Sequence, residues 1–171
     1  MSIKLVIFDA DKTLWDHPDV TSTKPPFQRI SGDTLVDTVG SEIHLYKGVR
    51  EMLQQLKEHG IIISLASWNT PEPCFEALEK LDLLEYFRHP KIHLHLEKHK
   101  MIKELLEDLR QEGIEIEPDE ILFVDDNTRH FVDVRKQIGE VRFLQMWANV
   151  KDHQEILEYV RSCQSDTPKT I

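Results

Sequence analysis

The chain has 171 residues, with 21 Lys and Arg against 31 Asp and Glu, a formal charge of −10. That balance argues against nucleic acid as a partner, because a nucleic-acid binder neutralises phosphates with clustered Lys and Arg, and it disfavours an anionic membrane surface for the same reason. At 40% hydrophobic and 30% charged residues, the composition is that of one soluble globular domain able to bury a core. Cys74 and Cys163 stand far apart outside any CxxC pattern, so neither a disulfide framework nor a zinc knuckle is expected, and a reducing compartment is. No apolar stretch before Asp9 is long enough for a signal peptide or a membrane span, and a cytoplasmic location is expected.

Leu5 to Phe8 is a short continuous apolar run, as in a strand buried on both faces of a parallel sheet. Val49, Met52, Leu53 and Leu56 recur at helical spacing, with Gly60 placed to cap the helix end. Ile61 to Ala66 reads as the next buried strand, followed by Thr70 as N-cap, Pro71 at the first helical position and an apolar stripe of Phe75, Leu78 and Leu81. Lys91 to Leu96 alternates polar and apolar like a half-exposed strand, and Met101, Ile102, Leu105, Leu106 and Leu109 mark a helix closed by Gly113. Ile121 to Val124 is a further buried strand, with Asn127 or Thr128 able to cap the next helix. That helix, through Phe131 and Val134, ends near Gly139, Val141 to Met146 is a strand, and Ile156, Leu157 and Val160 fit a last helix before a tail that frays after Cys163. Strand and helix in alternation imply a parallel α/β sheet with right-handed crossovers.

The stretch from Trp15 to Tyr46 breaks that rhythm. Pro18, Pro25 and Pro26, a Ser31-Gly32-Asp33 turn and Gly40 separate short apolar segments, so small strands around tight turns are expected, a flap inserted after the first strand; the alternative is a disordered loop.

Ligands of an open parallel sheet bind beyond the carboxyl ends of its strands. Those ends here supply Asp9, Asp11 and Thr13, then Ser67-Trp68-Asn69-Thr70, then Lys98, then Asp125 and Asp126. Crowded carboxylates call for a divalent cation, and an all-oxygen donor set favours Mg²⁺ over zinc. A transferring phosphoryl group needs the metal on one side and donors such as Lys98 and Ser67 on the other. Without a Cys, a Ser-His pair or a P-loop at these ends, the best nucleophile is a carboxylate, which can form an aspartyl-phosphate.

This order of motifs, DxDx[TV], then Ser, Lys and an acid pair, resembles the haloacid dehalogenase (HAD) superfamily. The sequence looks most like its magnesium-dependent phosphatase family, through Phe8-Asp9-Ala10-Asp11-Lys12-Thr13-Leu14-Trp15, Pro25-Pro26-Phe27, Leu45-Tyr46, Ala66-Ser67, Tyr86-Phe87 and Phe123-Val124-Asp125-Asp126-Asn127. The resemblance covers about residues 3 to 146. It implies a Rossmann-like α/β HAD fold, a parallel sheet flanked by helices, with a short β-flap instead of a full cap domain. The domain would span residues 1–162, the flap about 15–46, and a flexible tail 163–171. It implies Asp9 as nucleophile and metal ligand, and Asp11 as general acid and base that lends its backbone carbonyl to the metal. Asp126 would ligate Mg²⁺ directly, with Asp125 bonded to its shell, Thr13 would buttress the loop, and Ser67 and Lys98 would hold the phosphoryl oxygens. Trp68 stands where the family commonly has Arg, and joins the phosphate-binding set as a residue that stacks on or walls off the substrate.

The expected activity is Mg²⁺-dependent hydrolysis of a phosphate monoester, on a sugar phosphate, another small phosphometabolite or phosphotyrosine, so the partner is a phosphorylated small molecule or phosphoprotein. Lys100 and Lys103 compete with Lys98 for the lysine position; the resemblance favours Lys98, because Met101 and Ile102, three and four residues on, match the apolar pair that follows the family's lysine. His93, His95 and His99 suggest a zinc cluster, but no further ligand is singled out and a metal-free reading is preferred. Trp15, Phe27 and Trp68 are either walls of flap and pocket or core. The rival functions are a receiver-like signalling module, which also gathers acids, a hydroxyl and a lysine on a parallel sheet, and a catalytically inactive relative that binds phosphorylated partners.

Overall fold

A computed structural model describes residues 2–95 and 97–165. At its centre lies a five-stranded sheet formed by β1 (Leu5–Phe8), β5 (Ile62–Trp68), β6 (Lys91–His93), β7 (Ile121–Asp125) and β8 (Arg142–Gln145), every pair parallel. The spatial order is β6-β5-β1-β7-β8. Numbered by chain position within this sheet, the strands run third, second, first, fourth, fifth. A receiver places its second strand at the edge and its first strand next, so the topology differs from that rival's.

Helices cover both faces, which is why the central strands β1 and β7 read as unbroken apolar runs rather than alternating ones. On one face Val6, Phe8, Leu65 and Val124 pack against α1 (Val49–Glu58), α2 (Pro71–Lys80) and α5 (His153–Ser165). On the other, Leu5, Ile7, Ile121 and Phe123 meet α3 (Lys98–Gln111) and α4 (Phe131–Gln137). Gly60 and Gly113 stop α1 and α3 in the left-handed conformation expected of them, with φ of 73° and 82°.

Several boundaries differ from expectation. β5 continues through Ser67 and Trp68, because pairing with Ile92 and His93 on β6 holds these residues in the ladder whatever their polarity. β6 ends at His93, short of the expected Lys91 to Leu96, so His95 lies beyond the strand; Leu96 lies outside the described residues. β8 is one residue shorter at each end than Val141 to Met146. The buried stripe of α2 is Cys74, Ala77 and Leu78, joined by Leu81, with Phe75 half-buried. Thr70 precedes α2 as its N-cap residue but makes no side-chain cap, and α4 is preceded by His130, not capped by Asn127 or Thr128. The tail expected from residue 163 is helical to Ser165, with Cys163 buried; residues 166–171 lie outside the described ones.

Between β1 and α1 a separate antiparallel sheet forms from β2 (Gln28–Ser31), β3 (Thr34–Val36) and β4 (Glu42–His44), after a 3-10 turn at Val20–Ser22. Leu35 and Ile43 bury one side of it in the core. Arg50 of α1 holds its tip through Asp33 at 2.8 Å and the Gly32 carbonyl at 2.7 Å, and Lys80 Nζ donates to the Phe27 carbonyl at 2.8 Å. Among the described residues, no helix is long and apolar enough to cross a membrane.

Candidate active site

β1 and β7 lie side by side at the point where the strand order reverses, and both lead into aspartate. Phe8 pairs with Val124, and the Asp9 N–H donates to the Val124 carbonyl at 2.9 Å, so Asp9 and Asp125 emerge as neighbours. Lys98, the first residue of α3, reaches between them: its Nζ lies 2.7 Å from Asp9 Oδ1 and 2.7 Å from Asp125 Oδ2, with 3% of the side chain exposed. Lys100 is exposed and paired with Glu97 at 2.7 Å, and Lys103 donates to Gln137 at 3.4 Å, so of the three lysines Lys98 is the one brought to the carboxylates.

Asp9, Asp125 and Asp126 each offer an oxygen such that all three lie within 4.8 Å of one another. Burial pushes the Asp9 carboxyl well above the usual carboxylate range; Lys98 opposes that shift, while the Asp125 and Asp126 charges reinforce it. Burial and the Asp125 charge raise Asp126. Burial alone would lower the Lys98 ammonium, but Asp9 and Asp125 outweigh it and keep the lysine charged. Three carboxylates share one buried cation, an unbalanced set of hard oxygen donors that fits Mg²⁺. Among the described residues no other group of three potential ligands is this compact, and His93, His95 and His99 do not form one. His93 instead meets Glu104 at 3.0 Å and stacks on His95 with ring centroids 5.1 Å apart.

Asp11 belongs to the same loop, but its carboxylate stands outside that trio. Oδ1 accepts from Trp15 Nε1 at 2.8 Å and the Val20 N–H at 3.3 Å, and Oδ2 accepts from Asn69 Nδ2 at 3.0 Å. Burial raises its pKa against those donors, which suits a group that must carry a proton at one stage and release it at another. Thr13 places its hydroxyl 3.5 Å from Asp9 Oδ2. Ser67 is buried at the end of β5, and its Oγ accepts from Asn69 Nδ2 at 2.8 Å.

Asp9, Asp11, Lys98, Asp125 and Asp126 line a cleft of about 170 Å³, with Trp68, Lys12, Pro18, Arg129 and His130 among its walls. Trp68 lines the cleft and is 48% exposed, whereas Trp15 and Phe27 are buried in the core. Asn69 and Arg129 received no role from the sequence. Asn69 shows no pattern of its own; its position two residues past Ser67 on an extended chain, hence on the same side, is the one signal that was available. Arg129 brings a cation to the cleft that lacks an Arg at position 68.

The sequence profile of the family described as Acid Phosphatase matches residues 2–148. Magnesium-dependent phosphatase 1 of Homo sapiens is 33% identical over 139 residues, covering 78% of this chain and 73% of that protein. The chain belongs to the acid phosphatase family. It is accordingly a phosphatase, a hydrolase of phosphate monoesters. Solved structures set this chain within the HAD fold. A HAD-superfamily hydrolase from Ehrlichia chaffeensis superposes with a TM-score of 0.64 at 16% identity, over 96% of this chain and 99% of that one. The phosphatase-domain-containing N-terminal part of a Bacteroides fragilis protein, solved in complex with Mg, gives a TM-score of 0.61 at 21% identity, over 95% of this chain and 40% of that one.

Proposed function

We propose that this phosphatase hydrolyses a phosphate monoester through an aspartyl-phosphate on Asp9, with Mg²⁺ as cofactor. The observation that carries this reading is the meeting of three carboxylates and one buried ammonium at the ends of adjacent parallel strands. Asp9, Asp126 and the Asp11 backbone carbonyl would hold the ion, with Asp125 bonded to its shell. Once bound, Mg²⁺ would offset the excess negative charge and draw charge from the phosphoryl oxygens.

The remaining chemistry falls to the chain's own side chains. Ser67 and Lys98 hold phosphoryl oxygens, and Trp68 covers one side of the bound group. An Asp9 carboxylate oxygen attacks phosphorus as the bond to the leaving oxygen breaks, and Asp11 gives that oxygen its proton. Asp11, now a carboxylate, takes a proton from the water that reopens the aspartyl-phosphate. Sugar phosphates, other small phosphometabolites and phosphotyrosine are the proposed substrates. The support is a flap in place of a cap domain and a cleft with an exposed indole at its wall.

Asp9→Asn removes the nucleophile while keeping the shape of the side chain. Hydrolysis of nitrophenyl phosphate should drop to background while thermal stability is retained; full turnover in that variant would sink the mechanism. EDTA should silence the wild type, and added Mg²⁺ should restore it.

A further inference from the structure

Asn69 is 1% exposed and uses both ends of its amide. Its Nδ2 donates to Asp11 Oδ2 at 3.0 Å and to Ser67 Oγ at 2.8 Å. Its Oδ1 accepts from the Thr21 hydroxyl at 2.6 Å and the Thr21 N–H at 3.1 Å. Thr21 Oγ1 in turn accepts the Thr70 N–H at 2.8 Å, which leaves that hydroxyl's own proton for Asn69. These bonds fix which end of the amide is nitrogen, because the hydroxyl and N–H of Thr21 face the oxygen and the Asp11 carboxylate faces the NH₂. The turn at Val20–Ser22 therefore connects through one buried amide to two groups of the active site.

We propose that Asn69 is a positioning residue that sets the Asp11 carboxyl for proton transfer to the leaving oxygen and orients the Ser67 hydroxyl, and that Thr21 holds Asn69 in that role. The inference rests on the reading of Asp11 as the general acid. An amide that fills one of the acceptor sites on Asp11 Oδ2 limits the directions in which that oxygen's proton can point. Trp15 and Val20 do the same at Oδ1, but both belong to the segment that follows Asp11, whereas Asn69 ties Asp11 to β5 and so to the central sheet. Loss of that link leaves the acid attached to its own loop alone, and small displacements of a reacting group cost catalysis steeply.

The test compares kcat/KM for two esters at saturating Mg²⁺: nitrophenyl phosphate, whose leaving group departs without a proton, and an alkyl phosphate, whose alkoxide needs one. Asp11→Asn should slow the alkyl ester by about a hundredfold or more beyond its effect on the nitrophenyl ester, the usual scale of general acid catalysis. Asn69→Leu should show the same selectivity at about tenfold. A loss shared between the two esters at unchanged thermal stability reports Ser67, and the excess on the alkyl ester reports Asp11. A merely structural role would lower both esters equally, together with thermal stability. Should Asn69→Leu fail to fold, Thr21→Val replaces the hydroxyl with a methyl while leaving the Thr21 N–H on Asn69, and should show a smaller excess in the same direction. If Asp11→Asn is selective and neither other variant is, the inference is overturned while the reading of Asp11 stands. If Asp11→Asn shows no leaving-group selectivity, the acid role falls first and the inference falls with it.

Discussion

Lys98 contacts two of the three clustered carboxylates, and Asp126 is the third. This asymmetry makes Asp126 the side chain best suited to report on a metal. It is half-buried, raised by burial and by the charge of Asp125, and Lys98 bonds to its two neighbours instead. A ligand that binds only the native state raises stability by mass action, by about 2.7 kcal/mol at a hundred times its dissociation constant. Mg²⁺ should therefore raise the melting temperature of the wild type, and Asp126→Asn should remove most of that rise, as read by thermal unfolding across a Mg²⁺ titration. An undiminished rise in the variant would show that Asp126 is not a ligand. Residue identity was legible here because carboxylates at strand ends are chemically conspicuous. Asn69 was not, because an amide announces nothing until its partners are brought around it.

The loop after β1 is held from the far end of the chain. Lys12 adopts a left-handed conformation at φ 60°, unusual for a residue with a side chain, and its carbonyl accepts from Trp147 Nε1 at 2.6 Å. The next carbonyl, that of Thr13, accepts from His153 Nε2 at 2.7 Å, so the start of α5 braces the loop that follows β1. Burial holds the His153 imidazole below its ordinary value, with the Thr13 bond and the Asp152 charge opposing. The unfolded chain thus binds a proton that the native state resists. The His153 contribution to native stability is fully present above the ordinary histidine value of 6.5 and is lost as pH falls from there toward the depressed native value. His153→Gln retains a donor without titrating, so the wild type should lose more stability than this variant on mild acidification, as measured by urea denaturation at each pH. Equal losses would show that His153 does not carry the effect. At this scale periodicity located the elements, but not their ends: Ser67 and Trp68 belong to β5 because β6 lies beside them, which no local pattern encodes.

Across the whole molecule, α5 closes the chain on itself. Gln164 accepts the Ile3 N–H at 2.9 Å and donates to the Ile3 carbonyl at 3.0 Å, pinning the approach to β1. Two such bonds contribute about 1–3 kcal/mol, so Gln164→Ala should lower the denaturant midpoint by that equivalent with activity retained; an unchanged midpoint would leave the contact without energetic weight. The amino-acid sequence alone determined the class of fold and the kinds of groups at its active edge, because hydrophobic period and side-chain chemistry are local properties. Which tryptophan faces the cleft and which amide ties Asp11 to Ser67 were decided only by tertiary structure. Those outcomes depend on the order in which distant strands lie together, and no stretch of chain carries that order by itself.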